Sequence, residues 1–216
     1  MARKVWGVDS AARVTESLYS SVVSNFGTPK YWGRYLTDVP NVSDGLTKDE
    51  ITFIRSKGIK ILPIYNVFTE AIGYDKGRVA ARNAVFNARR LGIPQDTILF
   101  ANIENFFGVD SEWIKGWVES VYPSGYRVGI YNDPVKGGFR AAYCQAVKEN
   151  NQVAVQTVLW SAEPEVGVTK ERNAPRFNPA TPKCKANVWL WQYGRDSDIC
   201  PIDTNLADER VLQNLY

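Results

Sequence analysis

The feature that most constrains the fold is an alternation in which short β-rich runs are followed by stretches of helical period, five times in succession. Residues 4–9 read as the first strand. Val14, Leu18, Val22 and Phe26 then fall on one i, i+4 stripe, stopped by Gly27 and Pro29. Residues 31–36 form the second strand, and Thr47-Lys-Asp-Glu50 has the spacing of a capping box for a helix closed at Gly58. Residues 59–66 precede a helix over 76–91. Residues 97–104 precede one that starts near Asp110 and carries Ile114, Trp117, Val118 and Val121 on one face. Residues 126–131 are a fifth strand, with Phe139, Ala142, Tyr143 and Ala146 as the stripe of its helix. Such repetition predicts a parallel sheet with helices packed outside it.

After Gln152 the pattern changes. Residues 153–161, 187–193 and 199–203 read as strands, while the stretch 163–185, with prolines at 164, 175, 179 and 182, reads as an irregular loop. About eight strands in 216 residues, with helices mostly in the first five units, lie near the lower length limit of a closed (β/α) barrel. A doubly wound open sheet competes with it, but the turn Asp9-Ser-Ala-Ala lacks a glycine-rich phosphate cradle. The expectation is an α/β chain folded as a TIM-like barrel, one domain over residues 1–216.

Composition narrows the chemistry. With 44% hydrophobic and 23% charged residues, the chain has the make-up of an ordinary soluble globular protein. No apolar run approaches the ~18 residues of a membrane span. The opening Met1-Ala-Arg-Lys-Val-Trp also lacks the apolar stretch of a signal peptide. The 26 Lys and Arg exceed the 23 Asp and Glu by three and form no dense cluster, so nucleic acid is a poor partner. There is no histidine, which removes imidazole triads, imidazole metal sites and imidazole acid–base catalysis. Proton transfer falls to Asp, Glu, Tyr or Lys. Cys144, Cys184 and Cys200 are too scattered for a metal site; the spacing of Cys184 and Cys200 permits a bridge, but an odd count without a leader argues against oxidation. No cofactor or metal is implied.

Barrel sites lie at the C-terminal ends of the strands. There the chain places Asp9, then Arg34 and Tyr35, Tyr65 and Asn66, Asn102 and Glu104, Tyr131 and Asn132, Trp160 and Glu163, Gln192 and Tyr193, and Asp203 and Asn205. Residues two apart in a strand share a face, so Asn102 and Glu104 point the same way. Carboxylates, amides and aromatic faces in one cup suit a sugar, which has polar edges and apolar CH faces.

Five short motifs then occur in order: Trp6-Gly-Val-Asp-Ser10, Asn102-Ile-Glu104, Gly129-Ile-Tyr-Asn132, Trp191-Gln-Tyr193 and Ile202-Asp-Thr-Asn205. On these residues the chain resembles the bacterial glycoside-hydrolase-like domains of unknown function, relatives of the family 25 lysozymes. The resemblance implies a (β/α)5β3 barrel acting on peptidoglycan or a related N-acetylated glycan, as a monomer. It makes Glu104 the proton donor and matches Asp9, Tyr131, Gln192 and Asp203 to the family's other site positions. One departure is Asn102, where the lysozyme pattern Asp-x-Glu has an acid. Hence a second expectation stands beside the first, a carbohydrate-binding barrel without catalysis. Action at the cell wall would require export, and the location stays open between wall and cytoplasm.

Each candidate also has a structural reading. Asp9 can cap the helix after it, and Asp203 can cap one over residues 207–216. Glu163 reads as structural or solvated. Phe100, Ile103 and Phe106 would raise the pKa of Glu104 if they pack around it. Trp160, Trp189 and Trp191 serve as sugar platforms or as core. Tyr65, Tyr131 and Tyr193 are further site candidates. Arg34 either binds a substrate carboxylate, such as the lactyl group of muramic acid, or forms an internal salt bridge.

Overall fold

A computed structural model describes residues 3–216. Eight strands close into a barrel in sequence order: β1 (Lys4–Asp9), β2 (Tyr31–Tyr35), β3 (Lys60–Tyr65), β4 (Ile98–Asn102), β5 (Arg127–Asn132), β6 (Thr157–Ser161), β7 (Asn187–Gly194) and β8 (Asp203–Asp208). Neighbours from β1 to β7 pair parallel, whereas β8 is antiparallel to both β7 and β1. Helices α1 (Glu16–Asn25), α2 (Lys48–Ser56), α3 (Tyr74–Arg90), α4 (Ser111–Val121) and α5 (Phe139–Glu149) follow the first five strands, and a short α6 (Gln152–Gln156) leads into β6. No regular α-helix follows β6, β7 or β8, so the chain is a (β/α)5β3 barrel.

Local chemistry explains the helix boundaries. Thr15 caps α1 by accepting from the Leu18 N–H, Thr47 caps α2 through the Glu50 N–H, and Asp110 caps α4 through the Trp113 N–H. Only half of the capping box at Thr47 forms, because the Glu50 carboxylate turns inward to accept from Arg34 and from the Val14 N–H. Alternation along each strand divides the apolar side chains into two bodies. One, including Trp6, Trp32, Leu99 and Trp191, lies under the helices; the other, including Val5, Tyr31, Leu62, Ile98 and Phe100, fills the barrel. Among the described residues no helix is long and apolar enough to cross a membrane.

The structure corrects three expectations in the last third of the chain. The run 153–161 is a strand only from Thr157, because Val153 and Ala154 bury themselves in the single turn of α6. Residues 199–202 are loop, with Ile199 exposed; β8 begins at Asp203, and a 3-10 helix capped by Asp208 stands where a helix over 207–216 was expected. The cysteines are oxidised where the odd count argued against it: a disulfide joins Cys144 to Cys184, not the Cys184–Cys200 pair whose spacing permitted one, and Cys200 is free and buried. The bridge fastens α5 to the irregular loop that covers the helix-poor side of the barrel.

Candidate active site

Seven strands deliver their C-terminal ends to one face, and the reversed β8 delivers its N-terminus there. A cavity of about 240 Å³ opens at that face, lined by Asp9, Tyr35, Ile64, Asn102, Glu104, Tyr131, Trp160, Gln192, Arg195, Asp196 and Asp203. Asp9 and Asp203 sit directly opposite one another in the β1–β8 register. Neither is a helix cap, since Thr15 and Asp208 take those roles. Asp203 was expected at the end of an eighth strand; it reaches the mouth because it begins a strand that runs the other way.

Amides hold the two acids. Asn205 donates to Asp9 Oδ2 at 2.6 Å, and the Gln192 amide donates to Asp9 Oδ2 at 3.1 Å and to Asp203 Oδ2 at 2.9 Å. Trp160 Nε1 donates to Asn205 Oδ1 at 2.9 Å, and the Tyr131 hydroxyl donates to Gln192 Oε1 at 2.7 Å, so each amide is fixed from behind. Space for Asp9 comes from Gly33 on β2, where a Cβ would stand 2.6 Å from the Asp9 Cβ. Any side chain at residue 33 would displace the acid.

Burial sets the protonation of this cluster. Desolvation pushes Asp9 up to about 6, against the lowering effect of the Asn205 and Gln192 hydrogen bonds. It pushes Asp203 further, to about 8, because the Asp9 charge lies beside it. The facing pair therefore shares about one negative charge near neutral pH, with Asp9 held by the Asn205 and Gln192 amides and Asp203 by Gln192 and the Asp196 N–H. Glu104 is also raised by desolvation, opposed by the Asn102 hydrogen bond and by Arg195. Its setting differs from the expected one: Phe100 lies in the barrel interior, but Ile103 faces the helices and Phe106 is 78% exposed.

Asn102 and Glu104 share a face as alternation requires, and Asn102 Nδ2 donates to Glu104 Oε1 at 2.9 Å. Three expected site residues lie elsewhere. Arg34 is fully buried outside the strands, paired with Glu50 at 2.7 Å and donating to the carbonyls of Ser10, Ala11 and Asp44. Tyr65 stacks on Trp117 beneath the helices, and Tyr193 accepts from Trp6 Nε1 in the same layer. Both stand one residue out of phase with the inward-facing positions. Trp189 and Trp191 also part company, since a bulge where β6 meets β7 turns Trp189 toward the interior cluster while Trp191 packs outside. Glu163 is structural, bonded to Lys136 at 2.8 Å.

Four lining residues, Tyr35, Ile64, Arg195 and Asp196, were not among the expected site residues. Tyr35 was legible: it lies two residues beyond Gly33 and four beyond Tyr31, on the inward face that Arg34 leaves. Arg195 and Asp196 follow β7 past a second bulge, where no period points to them. Among the described residues no group of three His, Cys, Asp or Glu side chains is disposed to hold a metal ion.

A closed barrel with a polar cup at the C-terminal ends of its parallel strands defines the chain as a glycoside-hydrolase-like α/β barrel. More narrowly, residues 28–205 match the family described as "Rv2525c-like, glycoside hydrolase-like domain", and the chain belongs to that family. An uncharacterized protein of B. stearothermophilus is 65% identical, with 98% of this chain and 100% of that chain covered at a TM-score of 0.97. The muramidase of Acremonium alcalophilum is similar in fold at 15% identity, with 97% and 99% covered and a TM-score of 0.60. A family 25 glycosyl hydrolase of Bacillus anthracis is likewise similar at 15% identity, with 97% and 92% covered and a TM-score of 0.58. No curated protein matches the chain.

Proposed function

We propose that this protein is a monomeric single-domain glycoside hydrolase acting on peptidoglycan or a related N-acetylated glycan, with Glu104 as proton donor. The observation that carries this reading is the placement of Glu104: a carboxyl raised by desolvation at the end of β4, across the cavity from a pair of acids that shares one negative charge. In the reaction Glu104 protonates the departing glycosidic oxygen and is then the base for the incoming water. Asp9 supplies the standing negative charge that offsets the positive charge developing on the sugar ring. Asp203, largely protonated near neutral pH, is a hydrogen-bond donor or acceptor for the substrate's acetamido group. Tyr35, Tyr131 and Trp160 give the ring apolar and hydroxyl surfaces. The fold shared with muramidases supports a cell-wall glycan as the substrate class.

The test is release of reducing ends from purified peptidoglycan by the wild type and by Glu104→Gln, side by side from about pH 4 to 8. Activity confined to the wild type is the expected result. Asn102 favours a second reading, a barrel that binds glycan without cleaving it, because an amide there cannot add negative charge. Absence of release by both proteins, with glycan retained in a pull-down, would establish it.

A further inference from the structure

Among the described residues Arg195 is the one positively charged side chain lining the cavity. It follows β7 at the mouth, beyond Gln192 and near Asp203. Its donors are largely unspent. Nη2 donates to the Ala162 carbonyl at 3.3 Å and faces Glu165 at 3.0 Å and Glu163 at 3.6 Å. Glu163 is already engaged by Lys136, and Glu165 is exposed to solvent. Among the described residues no acceptor bonds to Nη1, and Nε is buried without a partner. A guanidinium offers five N–H groups in a planar fork suited to a carboxylate. Arg34 offers the opposite case, since it is sealed behind the strands with Nε, Nη1 and Nη2 all bonded.

We propose that Arg195 recognises a carboxylate carried by the sugar ring in the cavity, so that the preferred glycan bears a free acid there rather than an amide. Peptide-free muramic acid has that chemistry, whereas the peptide-bearing form has its lactyl acid tied up. The inference rests on the glycan reading above and narrows its substrate class. The acids nearby leave Arg195 free, because burial keeps Asp203 largely neutral and the charge the pair carries is held by the Asn205 and Gln192 amides rather than by Arg195.

Binding calorimetry on the Glu104→Gln protein separates this from the catalytic question. The probes are oligosaccharides of alternating N-acetylglucosamine and N-acetylmuramic acid, with the lactyl acid free or converted to the primary amide. A charge-assisted hydrogen bond predicts about tenfold tighter binding of the free acid. Arg195→Gln in the same background brings that ratio near one, and Arg195→Lys restores part of it. Because each ratio is taken within one protein, a general loss of stability does not mimic the effect. A ratio near one with Arg195 present, a ratio unchanged by Arg195→Gln, or no binding of either probe would overturn the proposal. Failure of the wild type to cleave either glycan would sink the hydrolase reading instead, while the binding ratio would still decide the role of Arg195.

Discussion

Asn102 donates to Glu104 from two residues upstream, at 2.9 Å, and this bond favours the charged form of an acid that burial otherwise raises. Asn102→Asp removes the donor and adds a like charge. Both changes raise the Glu104 pKa. The expected outcome is a kcat/KM profile whose alkaline limb moves up by about one pH unit, measured on soluble glycan. An unmoved limb would show that Glu104 does not set it.

The facing acids bias stability toward low pH. Asp203 rises from 3.8 in the unfolded chain to about 8 in the fold, so its contribution is full below 3.8 and is lost as pH climbs through 8. Asp9 acts in the same sense up to about 6. Asp208 works in reverse: Arg210 and Lys4 hold it well below the usual range, so its contribution is present above 3.8 and is lost in stronger acid. Thermal midpoints are expected to peak near pH 4 and to fall as pH rises from there. Asp203→Asn, which imitates the protonated acid, should gain on the order of 2 kcal/mol at pH 8 and little at pH 4. Equal effects at both pH values would count against the assignment.

Glu50 is the partner of a wholly buried guanidinium. Glu50→Ala leaves Arg34 charged and unpaired, and also strips an acceptor from the Val14 N–H. A loss of about 3–5 kcal/mol is expected in urea unfolding. A loss below about 1 kcal/mol, the range of surface pairs, would contradict the burial.

The bridge between Cys144 and Cys184 closes a span of 40 residues. Replacing both cysteines by serine should cost about 2–4 kcal/mol, seen as an earlier denaturant midpoint that reductant no longer moves. The wild type should move toward the variant when reduced.

What the sequence revealed and hid follows from period. The inward positions Asn102 at the end of β4, Glu104 two residues beyond it, and Asp9 at the end of β1 could be read because alternation carries through both segments. Arg34, Tyr65 and Tyr193 misled because a polar tip at a strand end says nothing about which face it takes. Beyond Gln152 the signals weaken for a physical reason: the barrel closes there with a reversed strand and two bulges, and no intervening helix marks the phase. Asp203 was still found, since a strand entering from the mouth puts its first residue where a parallel strand puts its last. The partner of Cys184 lay on α5, a contact that only the closed barrel creates.

The interior beneath the acids is solid, with Tyr31, Leu62, Ile98, Phe100 and Leu190 all without solvent contact. The cup is thus a blind alley with a single doorway. In the proposed hydrolysis the water that completes the reaction enters by the way the leaving sugar departs. Traffic at the mouth then orders the steps: departure first, water second. A departing sugar that lingers returns to re-form the bond it left, so slow exit would make this barrel a builder of glycosidic links as well as a breaker of them.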